Sequence, residues 1–271
     1  SFLICDPDEA WVVETSGKEW AAEKVKDVRT ISNAITIDSK WDLCSPNLVN
    51  HAVEKGWCRS KTDFSFSRCY SEPVYTKFSD AKKRQTCSTK KLLELKGNID
   101  AAEMMSILRN HKTTAGWSPD KGLTGADVCM HAGWGPIRGS QTTGSMVSQI
   151  DRSDTVHWVT ATAAPCTSIF KPVWLDCGIP DIGGTPTGID NKKSLYWRHE
   201  ALHREIIKDY RNRIPLIEKE RDHFEAEMLN AVAENLSGSV KERNILSERI
   251  FLQADELEQK WLLNVRRKPI T

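Results

Sequence analysis

The hydrophobic period of this chain changes three times, and the order of the changes limits the fold more than any other feature. Near the start, apolar side chains fall in short runs rich in Val, Ile and Trp: Phe2 to Cys5, Ala10 to Thr15, Trp20 to Lys24 and Arg29 to Ile37. Asp6-Pro7-Asp8 and Ser16-Gly17 punctuate these runs as turns, so a meander of antiparallel strands is expected to open the chain. From Asn47 to Asn110 the spacing becomes helical. Gly56 is placed to end a helix as its C′ residue, Lys82 to Leu95 puts a basic face over Leu92, Leu93 and Leu95, and Asp100 is placed to cap a helix holding Met104, Met105, Ile107 and Leu108. After a Gly-rich loop around Gly116 to Gly125, strand character returns at Val128 to His131, Thr142 to Ile150, Val156 to Ala163 and Ile169 to Leu175. Gly178 to Asn191 then reads as a linker, and everything beyond it is helical, with Pro215 expected to kink or restart a helix. Segregated runs of strands and helices predict an α+β protein rather than a βαβ alternation. The expected division is a body over 1–177, a linker over 178–191 and a helical extension over 192–271.

A chain of 271 residues can bury a full-sized core without disulfides. Its 38 basic and 37 acidic side chains nearly cancel, so no overall field draws it to nucleic acid or an anionic surface. The Lys82, Lys83, Arg84 run is read as a solvated helix face, and the ten tryptophans as packing residues. No apolar run is long enough to span a membrane. Ser1 leads directly into a strand-like run, so the chain is expected to begin inside a fold. The eight cysteines are scattered and form no CxxC, which predicts reduced thiols and a cytoplasmic protein. Cys129-Met130-His131 is the nearest approach to a metal signature. Its single intervening residue is fewer than zinc ligand pairs ordinarily have, so neither a metal nor a cofactor is expected. His131, His157 and His199 are read as hydrogen-bonded core or rim residues. The sequence carries no GxGxxG, Walker, GxSxG or HExxH motif.

Two stretches are more specific than their composition. One is Ser1-Phe2-Leu3-Ile4-Cys5-Asp6 through Glu9-Ala10-Trp11-Val12-Val13-Glu14-Thr15, followed by Trp20-Ala21-Ala22-Glu23-Lys24-Val25 and Arg29-Thr30-Ile31-Ser32-Asn33. The other is Val128-Cys129-Met130-His131-Ala132, followed by Gly139-Ser140-Gln141-Thr142-Thr143-Gly144-Ser145-Met146-Val147-Ser148. Together they resemble the secernins and related dipeptidases of the N-terminal-nucleophile hydrolase superfamily. The likeness runs from Ser1 to Phe170-Lys171-Pro172, with Lys55-Gly56-Trp57 and Met105 to Arg109 between, and thins after Gly178.

The resemblance implies a four-layer α/β/β/α sandwich of two antiparallel sheets, incomplete on its N-terminal side and extended by C-terminal helices. It also implies a cysteine-type dipeptidase. The thiol of an N-terminal cysteine attacks a small peptide or amide bond while its own α-amine acts as base. In the family that cysteine precedes the strand matched by Ser1 to Cys5, so the chain alone is expected to be inactive. Asn33 matches the asparagine beside the nucleophile; a turn asparagine satisfying local backbone is the alternative. Thr142, Thr143 and Ser145 match a Thr-Thr-x-Ser block that faces the site, although β-branched residues also suit such a strand for packing alone. Arg138 offers a planar fork to a dipeptide's free carboxylate. A second expectation of a different class is a non-catalytic interaction protein acting in regulated secretion. The C-terminal helices would then matter most and offer an interface to a second copy.

Overall fold

The computed structural model describes residues 1–72, 80–111, 117–119, 127–133 and 139–270. The chain is a mixed α+β protein with two small antiparallel sheets and, among the described residues, eight α-helices. It divides into two compact units, Ser1–Ile99 and Asp100–Thr271. The Gly178 to Asn191 segment therefore lies within the second unit. Arg138 and most of the Gly116 to Gly125 loop lie outside the described residues.

Unit 1 is built on a four-stranded meander, β1 (Phe2–Cys5), β2 (Ala10–Ser16), β3 (Glu19–Lys24) and the short β4 (Leu43–Cys44), in sequential order. The β1 register pairs Phe2 with Val13, and the β2 register pairs Val12 with Glu23 and Glu14 with Ala21. Side chains alternate across the pleat, so Val12 and Glu14 share the covered face of β2. Helices α1 (Leu48–Glu54) and α2 (Phe66–Tyr70) supply Leu48, Ala52, Phe66 and Tyr70 to the same core. Gly56 ends α1 as expected. At φ +71° it closes a Schellman motif, with Gly56 N–H donating to Val53 O and Trp57 N–H to Ala52 O. The Tyr70 hydroxyl donates to Leu48 O at 2.7 Å and sits 3.0 Å from His51 Nδ1; burial pushes its pKa up to about 12. Helix α3 (Ala81–Glu94) completes the unit.

The expected strand over Arg29 to Ile37 does not form. Two of its backbone donors, those of Thr36 and Ile37, meet a carboxylate. Glu14, buried on the core face of β2, accepts from Thr36 N at 2.6 Å, Ile37 N at 2.7 Å and Thr36 Oγ1 at 2.7 Å. A buried carboxylate needs such donors, and they tie Thr36 and Ile37 to the core face of β2.

Unit 2 starts with α4 (Ala101–Leu108), capped by Asp100, whose carboxylate accepts from Glu103 N at 2.8 Å. Its sheet is β5 (Met146–Ile150), β6 (Thr155–Val159) and β7 (Lys171–Val173), again in sequential order. The register sets Val147 opposite Trp158 on the buried face. Helices α5 (Leu195–Ile207), α6 (Tyr210–Arg213), α7 (Glu218–Glu234) and α8 (Val240–Arg267) follow. Pro215 lies in a 3₁₀ turn, Ile214–Leu216, between α6 and α7, which is the interruption its missing N–H dictates.

These helices build the core rather than append to it. One apolar cluster joins Met105 of α4 to Trp158, Phe170, Trp174, Met228, Leu246 and Ile250. A second joins Leu202 and Ile206 of α5 to Tyr210, Ala254, Trp261 and Val265, and it contains two cysteines, Cys129 and Cys166.

Candidate metal centre

The segment expected as a strand at Val128 to His131 is a loop, held open by its neighbours. Cys129 N donates to Asn110 O at 3.2 Å, while Met130 N donates to Thr142 Oγ1 at 3.0 Å and Met130 O accepts from Thr142 N at 2.9 Å. Met130 is thereby tied to Thr142 from both sides, and the flanking Cys129 and His131 side chains turn inward, where they are 1% and 2% exposed.

They meet two partners from distant sequence. His111 follows α4, and Cys166 sits in the turn between β6 and β7. His111 Nε2 lies 3.0 Å from His131 Nε2; Cys129 Sγ and Cys166 Sγ lie 3.5 Å and 3.4 Å from that same nitrogen. One ligand atom from each of the four residues falls within 4.8 Å of all the others.

The rings around the cluster fix its orientation. Trp117 stacks on His111 at 4.6 Å, and Tyr210 meets it edge-on with its hydroxyl 3.5 Å from Nδ1. Behind His131 runs a chain of acceptors: His131 Nδ1 is 3.0 Å from His203 Nε2, and His203 Nδ1 is 3.2 Å from Glu200 Oε2. Burial alone would raise the Glu200 pKa, yet His203, Arg204 and Gln141 together outweigh it and lower it to about 2. Burial also lowers the His203 pKa, against the pull of Glu200, and so favours the neutral ring. A neutral His203 donates from Nδ1 to the Glu200 carboxylate, so its Nε2 accepts the His131 Nδ1 proton. The hydrogen-bond chain thus leaves His131 Nε2 as a lone pair facing both sulfurs.

Burial opposes ionisation of both thiols. At Cys166 the Cys129 thiol and the His131 and His111 rings win, drawing its pKa well below the ordinary thiol range. Cys129 is pushed up, by burial first and then by the Cys166 sulfur.

The turn carrying Cys166 is fixed at almost every polar atom. Ala161 and Ala164 adopt positive φ, 55° and 54°, a conformation alanine takes only under constraint. Arg109 Nε donates to Pro165 O at 2.8 Å and Nη2 to Ser168 O at 3.1 Å; the Cys166 carbonyl accepts from Arg221 Nη1. His199 Nε2 donates to Ala163 O at 2.9 Å, and Lys171 Nζ donates to Thr160 O and Ile169 O, each at 2.7 Å. Phe170 N donates to Glu225 Oε1 at 2.7 Å.

Of the site residues expected from sequence, Asn33 belongs to unit 1 and Thr142, Thr143 and Ser145 to unit 2. Asn33, in unit 1, is exposed and its Oδ1 accepts from Arg84 Nη2 at 2.6 Å. Thr142, Thr143 and Ser145 share one run leading into β5. Thr142 anchors Met130 and its carbonyl accepts from Ala164 N at 2.8 Å; Ser145 N donates to Thr160 Oγ1 at 3.0 Å; Thr143 is exposed. The Cys129-Met130-His131 fragment is visible in the sequence and its partners are not, because His111 is 20 residues and Cys166 is 35 residues from His131. Only the packing of α4 and the β6–β7 turn brings them in. No model of a known protein family matches the chain.

Proposed function

We propose that the chain is part of a secernin-like, dipeptidase-type N-terminal-nucleophile hydrolase, acting in the cytoplasm on small peptide or related amide bonds. In this reading the attacking cysteine is supplied by sequence outside residues 1–271. The carrying observation is the set of ordered blocks, Phe2 to Cys5 through Asn33 and Cys129 to Ser148 through Pro172. Much of them falls on the meander β1–β3 and on the β5–β7 sheet. Both sheets are antiparallel, as an α/β/β/α sandwich requires. Strand β1 adds support. Phe2, Leu3 and Ile4 are 58%, 52% and 56% exposed on an edge strand, the appearance of an internal strand that normally has neighbours. Asn33 would then steady the amine or the oxyanion, Arg138 would pair with the substrate's free carboxylate, and Thr142, Thr143 and Ser145 would face the substrate from the run that leads into β5. The chemistry itself needs no metal.

The test is dipeptide hydrolysis by the protein from the complete coding sequence. Turnover is expected, with loss of at least about 10³-fold on changing the N-terminal cysteine to alanine and a smaller loss in Asn33→Ala. A complete sequence without such a cysteine, or a cysteine variant of full activity, overturns the reading.

One observation favours an interaction role in regulated secretion instead. Ile245, Leu252 and Leu263 are exposed on α8, and their spacings of 7 and 11 put them on one side of the helix. Removing the chain after Asn191 would destroy the core of unit 2, so the discriminating variant replaces these three residues with serine. The interaction role predicts loss of self-association and of the secretory effect, with hydrolysis unchanged.

A further inference from the structure

We propose that His111, Cys129, His131 and Cys166 form a tetrahedral Cys₂His₂ site for one divalent cation of the zinc class, which pins the Cys129 loop and the β6–β7 turn to the end of α4. The inference is independent of the hydrolase reading, since Cys129, His131 and Cys166 are buried in unit 2, His111 is half-buried beside them, and the proposed chemistry uses none of the four.

Geometry is the first support. Zinc binds thiolate sulfur at about 2.3 Å and imidazole nitrogen at about 2.0–2.1 Å, so tetrahedral angles place sulfur and nitrogen about 3.6 Å apart and two nitrogens about 3.3 Å apart. The two sulfur–nitrogen separations at His131 are 3.5 Å and 3.4 Å, and the nitrogen pair stands at 3.0 Å. Small outward shifts of the rings admit the ion. The spread of 4.8 Å or less among all four atoms leaves room for one cation and not two.

Ligand chemistry is the second. The Glu200–His203–His131 chain sets the tautomer that presents the His131 Nε2 lone pair, with a carboxylate behind the ligating ring as metal-bound histidines ordinarily have. The Tyr210 hydroxyl, near His111 Nδ1, can accept that ring's proton and free its Nε2 in the same way.

Charge balance is the third. Binding M²⁺ forms two metal–sulfur and two metal–nitrogen bonds to the thiolate form of both cysteines, and any proton a sulfur still carries leaves to solvent. Two thiolates and two neutral imidazoles then cancel the ion's charge, so the complex is neutral in an apolar core that would penalise an unpaired charge.

The test uses the whole chain, expressed with zinc and purified through a metal-scavenging resin. Elemental analysis should give about one zinc per chain. X-ray absorption should show two sulfur and two nitrogen scatterers at the distances above, and replacement by Co²⁺ should give thiolate-to-cobalt charge-transfer absorption. Cys129→Ser and Cys166→Ser should each weaken binding at least about 100-fold, and Cys177→Ser, which changes a cysteine outside the cluster, should leave it intact. If the serine variants fail to fold, X-ray absorption of the wild-type protein decides alone. A metal-free chain, a shell without sulfur, a Cys129–Cys166 disulfide in freshly purified protein, or full zinc content in Cys166→Ser overturns the proposal.

Discussion

Arg109 commits its guanidinium to four acceptors: both oxygens of Glu225, at 2.7 Å and 2.6 Å, and the carbonyls of Pro165 and Ser168. The pair is largely dehydrated, so removing one partner strands the other as an unpaired buried charge. Arg109→Met is therefore expected to cost about 3–5 kcal/mol, read as a lower urea midpoint with unchanged slope; a loss within about 0.5 kcal/mol, the usual range for surface changes, contradicts that role. Glu258 makes a pH-dependent contribution in the same region. Burial alone would raise its pKa, but His199 and Lys171 outweigh burial and hold it below the ordinary range. A carboxyl depressed in the folded state stabilises the fold fully above its unfolded pKa, about 4.3, and that contribution is lost as pH falls through the folded value. The stability gap between wild type and Glu258→Gln should accordingly be widest near neutrality and narrow below pH about 4.3. A gap that stays constant into the acid range contradicts the assignment. Neither role was legible in the sequence, because Arg109 matters through carbonyls and a carboxylate 56 or more residues away, and Glu258 through a buried histidine 59 residues away.

At the scale of elements, α8 is the long helix that serves both clusters of unit 2, through Leu246 and Ile250 at one end and Trp261 and Val265 at the other. It opens on a capping box. Ser239 Oγ accepts from Glu242 N at 3.3 Å, and Glu242 Oε2 accepts from Ser239 N at 2.8 Å. Ser239→Ala should cost about 0.5–2 kcal/mol and leave the metal stoichiometry unchanged; thermal melting and elemental analysis of one sample check both. Elements with a clean local signal were readable. β1 to β3, the Gly56 stop, the Asp100 cap and the Pro215 interruption all follow from period and punctuation. Arg29 to Ile37 was not, because its strand-like composition is overridden at its end by one buried carboxylate, Glu14, that takes the Thr36 and Ile37 amides. Val128 to His131 failed for a related reason: Thr142 captures Met130 from both sides and turns the flanking cysteine and histidine inward.

For the molecule as a whole, two kinds of information lead to two different sites. The proposed amide hydrolase rests on the ordered blocks, and the residues they nominate, Asn33 in unit 1 and Thr142 to Ser145 in unit 2, serve in the structure as a surface hydrogen-bond acceptor and as part of a backbone-anchoring run. Tertiary packing points to a cluster that local spacing did not announce. Of its four ligands only Cys129 and His131 are neighbours in sequence; His111 and Cys166 arrive through the helix and the turn that the rest of unit 2 holds in place. The claim that this cluster is a built metal centre has one direct reading, the mass of the intact folded chain by native mass spectrometry. The account predicts the mass of the polypeptide plus one zinc less two protons, reverting to the bare polypeptide on denaturation in acid. A folded chain at the bare polypeptide mass, or lighter by the two hydrogens of a disulfide, contradicts it.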